Sequence, residues 1–172
     1  MSYIEHKNQP IDRLRIMVIT ISDTRNPSTD KSGRLMIDLL QREDFILEDY
    51  RIVKDDRHAI KAALLDGCRC QEIDVILTNG GTGLSRRDVT YEVMNTLFEK
   101  TIPGYAELFR MLSYEEIGSA AMLSRATAGI AEGTVIFSTP GSTGAVKLAM
   151  EKLILPEIIH IVGEIRKDLQ ER

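Results

Sequence analysis

A chain of 172 residues, 43% hydrophobic and 28% charged, carries enough apolar material for the core of one domain of ordinary size. Its formal net charge of −4 argues against a nucleic-acid binder built on a broad basic surface, which needs clustered Lys and Arg against phosphates. No segment approaches the roughly 20 apolar residues that a membrane span needs, so neither nucleic acid nor membrane is an expected partner.

In chain order, residues 1–12 read as a polar leader with no apolar signal core. Residues 14–22 predict a fully buried strand, because Ile16, Met17, Val18, Ile19 and Ile21 form a nearly continuous run, as in parallel strands covered on both faces. Residues 23–30 hold Asn26, Pro27 and Ser28 and read as a loop. Over residues 32–42, Leu35, Met36, Leu39 and Leu40 recur at helical spacing, with Asp30 or Ser32 as N-cap. A second strand, residues 45–53, is less apolar and therefore nearer an edge. Residues 57–68 predict a helix with Ile60, Leu64 and Leu65 on one face, and residues 74–78 a short apolar strand. Cys68 and Cys70 lie at the end of that helix; a lone C-x-C is neither a zinc site nor a disulfide framework, and the reducing cytosol is the expected compartment. Beyond the Gly-rich residues 79–90, helices are expected over 91–98 and 105–117, separated by Ile102-Pro103-Gly104. Residues 124–130 and 134–138 predict a β-hairpin closed at Ala131-Glu132-Gly133. The loop Thr139-Pro140-Gly141-Ser142 opens a helix over 143–153, and Pro156 starts a last, amphipathic helix. The alternation of strands and helices predicts one α/β domain over residues 1–172, a three-layer sandwich with a mostly parallel central sheet and a small hairpin. His6, His58 and His160 form no metal-ligand pattern.

The chemistry concentrates in Thr78-Asn79-Gly80-Gly81-Thr82-Gly83-Leu84-Ser85-Arg86-Arg87-Asp88-Val89-Thr90, between a buried strand and a helix. In open parallel sheets ligands bind beyond the carboxyl ends of strands, where this loop lies. Three glycines in four residues let main-chain amides approach an anion closely. The hydroxyls of Thr78, Thr82, Ser85 and Thr90 add donors, and the helix start favours negative charge. Asp88 beside such an anion suits a bridging divalent cation. The spacing matches neither the dinucleotide fingerprint nor the Walker loop.

Thr-x-Gly-Gly-Thr-Gly followed by Arg-Arg-Asp-Val-Thr resembles the signature loop of the molybdopterin-binding family, which includes the molybdopterin adenylyltransferases. Supporting matches run over residues 14–155. They are Ser22-Asp23, Asp30-x-Ser32-Gly33, Asp55, Pro103-Gly104 with Glu107, Leu123-Ser124-Arg125 and Pro140-Gly141-Ser142. The compact length and acidic balance are similar to the protein B branch of that family. Tyr91 stands where the family often has proline and Asn79 where threonine is common; neither change removes a catalytic group.

The resemblance implies a molybdopterin-binding-domain-like fold and transfer of AMP from ATP, with Mg²⁺, to the terminal phosphate of molybdopterin. It implies that Asp55 and Asp88 are the catalytic and Mg²⁺-associated acidic residues, although Asp56 competes with Asp55 for the position facing the site. Gly80, Gly81, Thr82 and Gly83 would frame the nucleotide, and Ser142 with the backbone of Gly141 would hold the pterin phosphate. Ser22, Asp23 and Arg87 are further candidates. The expected partners are molybdopterin, ATP, further copies of the chain in a trimer or hexamer, and other cofactor-biosynthesis proteins. A non-catalytic molybdopterin carrier is the rival reading. A phosphate-ester hydrolase is disfavoured, because no nucleophile with a partner base can be assembled.

Overall fold

The first strand, β1 (Arg15–Ile21), sends Ile16 and Val18 into one apolar core and Met17, Ile19 and Ile21 into a second. Both faces are covered, which is why its apolar run does not alternate. The structure, a computed structural model, describes residues 13–170; the leader expected over residues 1–12, with His6, lies outside the described residues.

From β1 the chain enters α1 (Lys31–Arg42), capped by the Asp30 side chain on the Gly33 amide, and returns as β2 (Ile46–Val53). It then passes through α2 (Arg57–Arg69) to β3 (Val75–Asn79) and α3 (Thr90–Leu97). A two-residue strand, β4 (Lys100–Thr101), precedes α4 (Pro103–Ile117) and a 3-10 turn, Gly118–Leu123. The hairpin β5 (Thr127–Ala131) and β6 (Thr134–Thr139) turns at Glu132 and Gly133, both with positive φ. These two left-handed residues give the connection the twist of the flanking strands.

The strands form one mixed sheet in the order β2-β1-β3-β6-β5-β4. Pairing is parallel from β2 to β6 and antiparallel for β5 against β6 and β4. β2 lies at an edge, as its weaker apolar pattern predicts. Met36, Leu39 and Leu40 of α1 and Tyr105 and Phe109 of α4 pack in the first core. Ile60, Ala63 and Leu64 of α2, with Val93 and Met94 of α3, pack in the second. Helices thus cover both faces of the sheet, the three-layer arrangement expected. Among the described residues no helix is long and apolar enough to cross a membrane.

Pro156 does not start a helix. The chain runs from α5 (Thr143–Ala149) through a π turn (Met150–Ile154) into α6 (Leu155–Gln170) without a break. A proline inside a helix removes one N–H and crowds the carbonyl one turn back. Here the Leu155 amide bonds Met150 O, five residues back, and this local widening makes room for the ring.

The loop after β1 leads to α1 on one face of the sheet, whereas the loop after β3 leads to α3 on the other. Between two neighbouring parallel strands whose connections diverge in this way, a crevice opens at their carboxyl ends.

Candidate active site

A cleft of ≈ 540 Å³ occupies that crevice, a size suited to a small-molecule ligand. Ser22 and Arg25 from beyond β1, Asp55 from beyond β2, Gly80–Gly83 and Asp88 from beyond β3, and Pro140–Ser142 from beyond β6 line its polar side. Phe109 and Ile117 of α4, with Ala120 and Leu123 of the 3-10 turn, form the apolar wall.

The Gly-rich loop begins as an extension of the sheet, since the Gly80 amide donates to Thr139 O at 3.0 Å. This amide is therefore committed to the ladder and does not face an anion, a correction to the expectation for Gly80. The chain then turns at φ +102° for Gly80 and +67° for Gly81. The next two amides, of Gly81 and Thr82, meet no protein acceptor among the described residues, and both residues line the cleft. Thr90 is fully buried and donates its hydroxyl to Gly80 O at 3.1 Å, so it fixes the loop from beneath. Thr78 lies deeper still, in β3, with no partner for its hydroxyl among the described residues and outside the cleft lining. Strand alternation turns it into the second core, and a ligand-contacting role for it is not supported.

Asp55 and Asp56 separate cleanly. Asp56 caps α2 by accepting from the Ala59 amide at 2.9 Å, whereas Asp55 lines the cleft. Asp55 and Asp23 brace one another reciprocally: the Asp23 amide donates to Asp55 Oδ2 at 3.1 Å, and the Asp55 amide to Asp23 Oδ1 at 3.2 Å. Asp23 also pairs with Arg87. Neither Asp23 nor Arg87 lines the cleft; the pair stands beside Asp55 at its rim. Burial, then the negative charges of Asp23 and Asp88, push the Asp55 carboxyl above its ordinary value, against the opposing Asp23 amide and Arg87.

Asp88 is held differently. Burial would raise its carboxyl, but the Ser85 hydroxyl and amide, the Gly83 amide and the Arg125 charge outweigh it and keep the group below the ordinary range. Its Oδ2 accepts from Ser85 Oγ at 2.7 Å and from the Ser85 amide at 3.0 Å. One carboxylate oxygen is thus consumed by its own loop. Among the described residues no group of three or more His, Cys, Asp or Glu side chains is arranged to hold a metal. Asp55 and Asp88 can contribute two carboxylates to a cation whose remaining ligands come from phosphate and water, the usual partial shell for Mg²⁺. The crowding of negative charge recorded at Asp55 fits such a cation.

Ser142 caps α5, accepting from the Ala145 amide at 3.1 Å, and Gly141 meets the Gly-rich loop. A methyl built on Gly141 would stand 3.2 Å from Gly80 Cα. The two loops are therefore in contact across one cleft.

Two arginines have structural roles that motif reading does not assign: Arg125 stands in a supporting match without a role, and Arg25 stands in none. Arg125 donates to Gly83 O at 3.0 Å and Asp88 O at 2.9 Å, pairs with Glu92, and lies 5.3 Å from the centre of the Tyr91 ring. It ties residues 83–88 to α3, and Tyr91 gives it a cation–π surface that a proline would lack. Arg125→Ala is expected to cost about 1–2 kcal/mol and to speed amide exchange at Gly83–Asp88 while β1 stays protected. Unchanged exchange in the loop would refute the tie. Arg25, in the loop after β1, donates to Gly141 O at 2.8 Å and to Ser32 Oγ. Beneath it, fully buried Asn79 accepts from Ser32 Oγ at 2.8 Å and donates to Thr20 Oγ1 at 2.9 Å. Asn79 is thus the centre of a satisfied polar network under the cleft floor, where an unpaired amide would be costly.

Residues 17–160 match the family model described as "Probable molybdopterin binding domain". The chain is 56% identical over 169 residues to molybdenum cofactor biosynthesis protein B of Bacillus subtilis, covering 98% of this chain and 99% of that protein. It is 50% identical over 171 residues to the protein of the same name from Staphylococcus carnosus, covering 97% and 100%. A crystal structure of a molybdenum cofactor biosynthesis protein B superposes with a TM-score of 0.89 at 52% identity, covering 92% of this chain and 99% of that one. A tungsten cofactor synthesizing protein from Pyrococcus furiosus superposes at 0.83 with 40% identity, covering 91% and 99%.

Proposed function

The chain belongs to the family of molybdopterin-binding domains of molybdenum cofactor biosynthesis, and from that premise we propose that it transfers an adenylyl group from ATP to the terminal phosphate of molybdopterin. The observation that carries this reading is that two loops of a shape suited to phosphate oxygens meet in one cleft. The free amides of Gly81 and Thr82 stand on one side, and Gly141–Ser142 at a helix start on the other. A cleft that only stored one phosphorylated pterin would need a single such loop.

In the reaction, an oxygen of the pterin phosphate attacks the α-phosphorus of ATP. The bond from that phosphorus to the bridging β-oxygen breaks, and pyrophosphate leaves. No protein nucleophile is required, so the chain contributes alignment and charge management. Gly81 and Thr82 hold nucleotide phosphate oxygens, Ser142 and Gly141 hold the pterin phosphate, and Ser22 and Gly83 close the polar side. Asp55 and Asp88 position the cation, which when bound neutralises the crowded phosphates. The apolar wall at Phe109, Ile117 and Leu123 receives a planar ring.

A molybdopterin carrier without chemistry is the second reading, favoured by the engagement of Asp88 within its own loop. Incubation of the purified chain with molybdopterin, ATP and Mg²⁺ separates the two. Stoichiometric pyrophosphate release is expected; saturable pterin binding without it would establish the carrier. Exposed Leu108, Met111 and Tyr114 on α4, with Met122 beyond it, support self-association as a trimer or hexamer. Other proteins of cofactor biosynthesis are further partners in this reading, which belongs to the cytosol.

A further inference from the structure

We infer that Arg25 is the phosphate clamp of the Gly141–Ser142 half of the cleft, presenting a fork of N–H donors to a phosphate monoester held there. Of the charged side chains that line the cleft among the described residues, Arg25, Asp55 and Asp88, it is the one cation. Its side chain is 31% exposed and lines the cleft. A guanidinium carries five N–H donors. Nη1 uses two, on Ser32 Oγ and, at 3.4 Å, on Asn79 Oδ1; Nη2 uses one, on Gly141 O. The Nε hydrogen and the second Nη2 hydrogen meet no acceptor among the described residues. The Nε–Nη2 edge of a guanidinium is the edge whose two donors match two oxygens of a tetrahedral oxyanion.

The bonds already made hold the fork in place. Gly141 O fixes Arg25 to the loop carrying Ser142, and Ser32 and Asn79 anchor it to the buried network. Asp30, fully buried, lies 3.6 Å from Nη1 and balances the guanidinium charge. Recognition therefore rests on directed donors more than on net charge. The identity of the phosphate as that of molybdopterin rests on the adenylyl-transfer reading; the anion site does not.

Crystals of the full chain soaked in tungstate, a tetrahedral oxyanion with a strong anomalous signal, test the site without turnover. A tungsten peak within hydrogen-bonding reach of Arg25 Nε is expected. A peak only at Gly81–Thr82, or none, overturns the assignment. In solution, Arg25→Gln is expected to weaken tungstate binding by about tenfold or more. Arg25→Lys should fall between that variant and the parent, since it keeps the charge but loses the fork. Equal affinity in all three overturns the proposal, and the peak in the unmodified chain decides if Arg25→Gln fails to fold. Titration with molybdopterin and with ATP separately then assigns the source. A loss confined to molybdopterin supports the pterin phosphate, and a loss confined to ATP moves the clamp to the nucleotide. Absence of pyrophosphate release from the unmodified chain would sink the transfer reading and leave the tungsten peak to decide Arg25.

Discussion

Asp55→Asn is expected to cut adenylyl transfer by about 10²–10³-fold while leaving the melting temperature unchanged or raised. Asp55 is the carboxylate in the cleft whose surroundings oppose ionisation: burial and the charges of Asp23 and Asp88 push its carboxyl up. A folded-state value above the unfolded one means that the native chain holds the proton more tightly than the unfolded chain. The ionised group therefore costs stability at neutral pH, and the cost disappears as pH falls through its raised folded value. The amide of Asn removes that cost and retains an oxygen for the Asp23 amide. It does not retain the negative charge proposed to position the cation. Pyrophosphate release at neutral pH, with calorimetry there and near pH 4, checks both halves. A large fall in melting temperature at neutral pH would show that Asp55 holds the fold rather than serving the chemistry. Unchanged turnover would remove it from the mechanism.

Gly80→Ala is expected to lower stability by on the order of 3 kcal/mol, a fall of about 6–12 °C in melting temperature for a chain of this size. Ligand binding should be lost along with it. A methyl at Gly80 would stand 2.1 Å from the backbone oxygen of Ile21, and the residue sits at φ +102°. Ile21 ends β1, a strand paired on both sides within the sheet, and is itself in register with Val53 of β2, so the carbonyl has no room to yield. The contrast is Gly81, at φ +67°, where the nearest obstacle to a methyl is the Thr90 hydroxyl at 2.2 Å; removing that hydroxyl relieves the clash but not the backbone strain. Gly81→Ala combined with Thr90→Ser is not relieved, since the hydroxyl remains. Thermal melts of Gly80→Ala decide the matter, and a fall of under 2 °C would mean that the loop is far softer than the contacts at Ile21 imply.

The strands and most helices were legible because burial writes directly into composition. β1 and β3 announce themselves by runs of apolar residues covered on both sides, and β2 by their dilution. β4 was not legible: Lys100 and Thr101 are both exposed, and two residues carry no period. Pro156 misled because the usual cost of proline inside a helix is absorbed by a π turn that has no local signature. At the site, the glycines and Asp88 were visible as a motif. What each amide and carboxylate faces was not visible, because the partner lies elsewhere in the chain. The Gly80 amide is bonded to Thr139, and Arg25 to Gly141, 116 residues away. Neighbouring Asp55 and Asp56 are indistinguishable by type. Only the start of α2 separates them, since the position before its first residue is the one that caps.

The exchange of amide and carboxylate between Asp23 and Asp55 carries a consequence for how such a chain can vary. Each residue supplies a main-chain donor and a side-chain acceptor to the other, and the Asp23 charge acts on the Asp55 carboxyl, so a substitution that removes one carboxylate changes the surroundings of the other. Their mutational effects are therefore coupled rather than summed. A double-mutant cycle on Asp23 and Asp55 reads that coupling as the difference between the paired change and the sum of the two single ones.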